Sequence, residues 1–396
     1  MSRIVLFDTK DNYLNLLPLT FTRPIGDLRV GIVKLWEKWL FFDKKLKISF
    51  LSEKYLSKKY PFDYHNDNIY VNSSFIANAK LYEEIKKLKT GQGLTYKGEI
   101  LAFKSDKYVK IIEGYISVIS TAEYNEELLQ IKYPWDIFYF NGKVLEKDFY
   151  YITNGKKSQT LSNTVNIINK ENVFVEEGVN VHFATLNAQE GFIYLGKDVE
   201  VMEGTVVRGS LAMCEHSVLK LSAKIYGPTT IGPYSKVGGE VNNSVIWGYS
   251  NKAHDGFLGN AVLGQWCNIG ADTNNSNLKN NYAEVKMWNY KQEHFISTGL
   301  QFCGLTMGDH SKCGINTMFN TGTVVGVNAN IFGSGFPRNF IPSFSWGGPQ
   351  GFTEYKLHKA LEVAERVMLR RQKVLDNVET EILSSVFENT KKYRSF

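Results

Sequence analysis

The sequence predicts an α/β domain, then an all-β parallel β-helix, then a short tail of α-helices. Three observations carry this reading. Strand-like and helix-like stretches alternate through the first third of the chain. From Leu195 an aliphatic residue returns at every sixth position. After Gly351 the apolar spacing becomes helical.

The six-residue return is the strongest of the three. It runs Leu195, Val201, Val207, Met213, Leu219, Ile225, Ile231, Val237. It resumes after a slip at Val245, Asn251, Phe257, Leu263 and Ile269, and after a longer interruption at Met307, Cys313, Phe319, Val325 and Ile331. Seventeen of these eighteen positions are apolar, where 43% apolar composition alone gives about eight, and Asn251 is the exception. A helix repeats every 3.6 residues and a strand every two, so neither sustains a period of six. A coil of three short strands does. The aliphatic residue enters a narrow core, and a small or β-branched residue four places on (Thr205, Ser217, Ala223, Ser235) sits beside it.

In the N-terminal third, Arg3–Phe7, "KISFLSE" and "DNIYVNSSF" read as strands. "LRVGIVKLWEKWL" (residues 28–40) and "ANAKLYEEIKKLKT" read as helices, which predicts a sheet of parallel strands. Asn141-Gly142 and Asn154-Gly155 read as turns in the joint. The tail reads as two amphipathic helices, about 353–372 and 376–390. The expected divisions are an α/β domain over 1–150, a joint and first irregular coil over 151–192, the β-helix over 193–345 and the helical tail over 346–396.

Composition narrows the function classes. A net charge of +6 spread along 396 residues is a poor footprint for nucleic acid. There is no apolar run of 18 residues and no leader pattern, so no membrane partner is expected and the expected location is cytoplasmic. Cys267 and Cys313 fall on inward positions and read as buried thiols. The four cysteines have no metal-site spacing, so no metal site is expected from them.

The repeat resembles the left-handed β-helix of the hexapeptide-repeat acyltransferases. The run "SNKAHDGFLGNAVLGQWCNIGADTNNSN" (250–277) is similar to the acetyltransferase half of the bifunctional family that makes UDP-N-acetylglucosamine. That resemblance implies His254 as general base, a role suited to a side chain whose pKa lies near working pH. Asp255 would orient its ring. Asn268 and Asn277 match two family asparagines, one for the sugar and one for holding the base. Where the family has a tyrosine this chain has Phe257. No arginine matches the family's phosphate-binding position, and Lys236 and Lys252 are the substitutes. Tyr282 belongs to the polar interruption 274–294, expected to be a loop that reaches a site or a neighbouring subunit. The resemblance further implies acyl-CoA (acetyl-CoA) as donor, a sugar phosphate or nucleotide-sugar as acceptor, and a homotrimer with sites between subunits.

The same residues have plainer readings. His254 fits a structural turn position, and Asn268, Asn274, Asn275 and Asn277 fit turns because asparagine tolerates left-handed backbone. His216 and His310 fit surface turns, Trp247 and Trp266 fit packing, and Arg370-Arg371 with Lys373 fits a solvated face, the alternative being contact with an acyl-CoA phosphate.

"PLTFTRP" (18–24) resembles the second half of the opening motif of sugar-phosphate nucleotidyltransferases. Asp11 and Tyr13 stand where that motif's loop glycines let backbone N–H groups approach a triphosphate, and Ser74 stands where its Mg²⁺ aspartate falls. Arg23 and Arg29 are the remaining phosphate-binding candidates, and Arg23 packed on the sheet is the plain alternative. The expected function is acyl transfer at the β-helix with a degenerate N-terminal domain. The alternatives are a nucleotidyltransferase active at that domain, using Mg²⁺, and a non-catalytic sugar-nucleotide-binding scaffold.

Overall fold

The computed structural model describes residues 3–106 and 120–396. Two compact units divide the described residues: Met1–Arg29 with Val33–Tyr133, and Val30–Ile32 with Pro134–Phe396.

The first unit is built on a sheet of six strands: β1 (Arg3–Phe7), β2 (Lys47–Leu51), β3 (Ile69–Asn72), β4 (Gln92–Tyr96), β5 (Glu99–Lys104) and β6 (Ser120–Glu123). Their order is β2-β1-β3-β5-β4-β6. β1 pairs in parallel with β2 and β3, whereas β5 is antiparallel to both β3 and β4, so the sheet is mixed rather than parallel. The reason is local. Lys97 and Gly98 both take positive φ (51° and 80°), and such a two-residue turn folds β4 and β5 into a hairpin. Two helices lie in the connections, α1 (Lys10–Asn15), capped by Thr9, and α2 (Ala79–Lys86), capped by Asn78.

The predicted helix over 28–40 does not form. Only a 3₁₀ turn appears, at Glu37–Phe41, although Leu28, Ile32, Leu35 and Trp39 are all buried. Gly31 is left-handed (φ 76°), and its N–H is donated to Asn141 Oδ1 while that of Ile32 goes to Asp148 Oδ2. Donors committed to side chains cannot build an α-helical ladder.

The second unit begins with α3 (Pro134–Thr153). Asn141-Gly142, expected as a turn, lies in the middle of this helix. The Asn141 amide donates to Pro228 O (3.0 Å) and Thr230 Oγ1 (3.1 Å), and at Gly142 a Cβ would stand 2.9 Å from the Pro228 ring. Both residues serve the close approach of α3 to the β-helix. Gly155 does act as a stop, with φ 74° just past the helix.

The β-helix follows as parallel stacks of two- and three-residue strands. The longest face has nine, from Val173–Val175 to Phe340–Ile341. α3 packs on the outer side of this face, so its outward Thr230, Val245 and Val262 are buried. The slip in the repeat is one residue longer than the sequence reading placed it. Ile246 pairs with Ile231, and Leu258 with Val241, so Ile246, Lys252 and Leu258 take the inward slots instead of Val245, Asn251 and Phe257. The short corner Gly238-Gly239 and the short turn at Asn243 together shift the phase, and charge in the core is therefore carried by Lys252.

The corners that follow the nine-strand face have a left-handed residue followed by a small buried one. Tyr234, Tyr249 and Trp266 have φ near 60° (59°, 62° and 62°), and Ser235, Ser250 and Cys267 follow them. The buried hydroxyls tie one coil to the next. Ser235 Oγ donates to Trp247 O (2.8 Å) and accepts from Ser250 N (3.1 Å). Ser250 Oγ donates to Gly264 O (2.8 Å) and accepts from Cys267 N (3.0 Å). All four cysteines are buried and free.

The interruption is not an open loop. Lys286–Asn289 and His294–Ser297 form an antiparallel hairpin. Trp288 stacks on Phe340 at 4.2 Å, and Tyr290 meets Phe340 and Tyr393 edge-on, so these aromatics are consumed within the chain. The tail forms α4 (Leu357–Leu369) and α5 (Asn377–Asn389), with Ala360, Ala364 and Met368 as the buried stripe of α4. No helix among the described residues is long and apolar enough to cross a membrane.

The hydroxyl ladder makes a direct prediction. Ser250→Ala leaves a buried donor and a buried acceptor without a partner and should lower the unfolding free energy by about 1–3 kcal/mol. Chemical denaturation of the whole chain reads this, and an unchanged midpoint contradicts the ladder's role.

Candidate functional site

A cavity of about 710 Å³ lies in the second unit, between α4 and the third face of the β-helix, the one that carries Lys236–Val237 and Asn251–Lys252. That volume is in the range of small-molecule sites. Its floor is the outward row of the face: Lys236, Asn251, Asn268 and Lys312, brought into line by parallel pairing across successive coils. One wall is the corner ladder, where Tyr249 and Trp266 stack at 4.2 Å within a column that runs from His216 to His310. The opposite wall is α4, presenting Val363, Val367, Arg370 and Arg371. Arg371 is fixed there by donating to Asn251 Oδ1 at 3.0 Å.

Four cations line this cavity and, among the described residues, no carboxylate does. Burial lowers the Lys312 ammonium to about 8. Burial, then the Arg371 and Lys220 charges, lowers Lys236; burial, then Arg370, lowers Arg371. Crowded, partly desolvated cations of this kind are relieved by an anion, and the adjoining aromatic and valine surfaces add an apolar share. Arg370-Arg371 is thus part of a cavity wall rather than a solvated face.

A second hollow of about 460 Å³ lies on the other side of the His254 corner, lined by Lys220, Leu221, Gly239, Asp255 and Asp272. Ala253, His254 and Ala271 line both spaces. His254 therefore stands on a ridge between a cationic cavity and a hollow with two carboxylates. Its side chain is exposed, and no hydrogen bond to its ring is present among the described residues, so Asp255 does not orient it in the single chain.

The other candidates separate. Asn268 is at the cavity floor, where its Oδ1 faces Asn251 Nδ2 at 3.5 Å. Asn277 lies outside both spaces and donates to Asn260 Oδ1 at 2.8 Å, beside the Phe257 ring and over Gly259. Asn275, read only as a turn residue, is the buried one of the asparagine group: its amide exchanges two hydrogen bonds with the backbone of Gly259. Tyr282 is 66% exposed and remote from either lining. Lys252 does not reach the cavity at all. It is 1% exposed and turned into the core. His310 is buried rather than on the surface, because it closes the aromatic column against Trp266. Lys312 and Tyr249 are not among the site residues that the sequence offers. The outward position one before Cys313 would have pointed to Lys312.

In the first unit the carboxyl ends of β1, β2 and β3 are where an open α/β sheet binds ligands. They are filled. Asp11 and Tyr13 lie on α1. Tyr13 is buried with its hydroxyl 2.8 Å from that of Tyr55, which donates to Phe21 O. Ser74 is wholly buried: it donates to Asn72 Oδ1 and accepts from Asn12 Nδ2 and Gln130 Nε2. That hydroxyl is saturated by amides, a poor fit for a magnesium ion, which needs carboxylate and water oxygens. Asp8 is buried with Ser52 Oγ and Ile25 N donating to it, and burial raises its carboxyl to about 6. Arg23, the phosphate candidate, is 2% exposed and 3.7 Å from Asp27. Asp27 also takes Lys34 (2.7 Å) and Tyr60 (3.0 Å). Burial raises the Asp27 carboxyl, but Lys34 and then Arg23 outweigh that, and the net shift is downward. Arg29 is half-buried, in a bridge with Lys34.

Residues 4–157 match the model of a family described as sugar nucleotidyl transferase. The chain is 28% identical over 216 residues to a bifunctional sugar-1-phosphate nucleotidylyltransferase/acetyltransferase of Sulfurisphaera tokodaii, covering 54% of this chain and 47% of that protein. It is 34% identical over 92 residues to the bifunctional protein GlmU of Methanocaldococcus jannaschii, covering 23% of this chain and 22% of that one. The chain thus spans less than half the length of these relatives. Among solved structures it is similar to a UDP-N-acetylglucosamine acyltransferase (11% identity, 55% of this chain, 79% of that one, TM-score 0.23). It is also similar to the Arabidopsis UDP-N-acetylglucosamine acyltransferase (15% identity, 59% and 91%, TM-score 0.19). With a segment that matches the sugar nucleotidyl transferase model ahead of a parallel β-helix, the chain is similar to bifunctional sugar-1-phosphate nucleotidylyltransferase/acetyltransferase proteins over part of their length.

Proposed function

We propose that the β-helix unit transfers an acyl group from an acyl-CoA to a sugar phosphate or nucleotide-sugar, with His254 as the general base. The observation that supports this is the ridge position of His254, between a cavity suited to a phosphorylated donor and a hollow suited to a polar acceptor. Lys236, Lys312, Arg370 and Arg371 hold the donor phosphates, and Val363 and Val367 receive its apolar arm. Asp255 and Asp272 face the acceptor. His254 takes the proton from the attacking amine or hydroxyl as that group adds to the thioester carbonyl. Collapse of the adduct expels the CoA thiolate, and the proton on His254 is available to it. The names of the relatives, which include acetyltransferases, favour an acetyl donor.

A general base contributes about 10²–10⁴-fold to rate. His254→Ala should lower kcat by that factor and leave the fold intact, since the residue is exposed; His254→Asn should behave alike because it cannot accept the proton. The assay is thiol release from acetyl-CoA with candidate acceptors, and equal rates for wild type and His254→Ala would overturn the role.

The first unit, on this reading, does not transfer nucleotides. Its strand ends are occupied by Tyr13, Tyr55 and the Ser74 amide cluster. No pyrophosphate should be released from any common nucleoside triphosphate with a sugar 1-phosphate and Mg²⁺. Release that disappears when the Ser74 cluster is disrupted would reverse the assignment.

Exposure of the His254 ridge also favours assembly. A general base needs a shielded site, and a second chain on this face supplies the missing wall. Trimerisation is the arrangement proposed, and light scattering at micromolar concentration should give about three times the 45.1 kDa chain mass. A monomer at all concentrations would contradict a site completed between subunits.

A further inference from the structure

We infer that Lys252 is a positioning residue that holds the His254 corner from inside the β-helix. The inference rests on the proposed role of His254 for its effect on rate, but not for its structural content. In the stack of inward positions Lys252 lies between Val237 in one coil and Ile269 in the next, where every consideration of burial favours an aliphatic residue. Its Nζ turns back to donate to His254 O at 2.5 Å and Asp255 O at 3.2 Å.

The corner needs such support because it is irregular. In the regular corners of this edge the left-handed residue comes three positions after the inward one (Ser222 after Leu219, Asp272 after Ile269, Asn316 after Cys313), and in the short corners it comes two after (Phe183 after Val181, Gly239 after Val237). Here it comes four after, at Gly256 (φ 106°), and the extra reach lifts His254 and Asp255 out as the ridge. The corner rests on Gly238 and Gly239, whose missing side chains make the space. A Cβ at Gly239 would stand 2.8 Å from His254 O, and one at Gly238 2.6 Å from Ala253 O. The His254 carbonyl thus lies over glycine, and Lys252 supplies it with a donor; the same ammonium also donates to Asp255 O, which accepts from Asp272 N as well. Burial lowers the ammonium to about 8, against which the nearby charges of Asp255 and Asp272, with the Cys313 thiol, favour the protonated form.

The test uses the full chain with Lys252→Ile, the aliphatic type of the neighbouring coils, and Lys252→Met, which keeps the length and removes the donors. Folding is secured by the first and shape by the second. Amide hydrogen exchange should quicken at least tenfold at residues 253–257 and at Asp272, whose N–H donates to Asp255 O, with no change in the strands around Val201 and Val207. In thiol-release kinetics kcat should fall at least tenfold with the KM for acetyl-CoA unchanged. The same substitutions in a His254→Ala background should cost nothing more, because the loss acts through His254. Wild-type exchange at the corner in both variants would overturn the inference, as would additive losses in the double variants. Quickened exchange with no acyl transfer by the wild type would uphold the pin and remove the proposed reaction instead.

Discussion

A coil of this β-helix encloses a narrow interior, and that restriction governs the rest of the molecule. Whatever enters it must be satisfied in the dry interior by its own coil or by the coils above and below. Aliphatic residues meet the condition by contact alone. Buried hydroxyls such as Ser235 and Ser250 meet it by bonding backbone groups of the next coil. Asn275 meets it by a two-way exchange with Gly259. Lys252 meets it by bonding the carbonyls of its own corner. Regular coils follow from the first two solutions. The last two occur where the chain departs from regularity, beside the cavity.

The outward faces obey a different constraint. Parallel pairing places equivalent residues one above another at strand spacing, so one polar outward residue per coil becomes a row. On the nine-strand face the row is covered by α3. On the third face it is partly covered by α4, and the uncovered part is the cationic cavity. The tail therefore has a function in this account beyond capping: without α4 the row Lys236–Asn251–Asn268–Lys312 is an open surface, and with it Arg370 and Arg371 close a volume. In the first unit the outcome is opposite. Small and hydroxyl side chains at strand ends are enclosed by Tyr13, Tyr55 and a buried Arg23–Asp27–Lys34 cluster.

Much of this was legible in the sequence because a period of six has few structural explanations. The β-helix, its interruption and the two tail helices follow from spacing alone. The corner bearing His254 was legible as a break in phase. What the sequence could not tell was the length of that break. An error of one residue exchanges inward for outward along a strand, so Lys252 was assigned to the surface and Asn251 to the core. The helix expected over 28–40 failed for a different reason: its apolar spacing was real, but Gly31 and Ile32 give their N–H groups to Asn141 and Asp148, over a hundred residues away. The hairpin at Lys286–Ser297 was hidden because Trp288 and Tyr290 look like free aromatics until Phe340 and Tyr393 are placed beside them. Lys312 and Tyr249 become site residues only when coils distant in sequence are stacked.

The most direct test of the central claim is a crystal structure of the chain grown with coenzyme A. The account predicts density for the diphosphate among Lys236, Lys312, Arg370 and Arg371, with the sulfur end beside His254. Coenzyme A bound elsewhere, with the cavity under α4 filled only by water at saturating ligand, would contradict it.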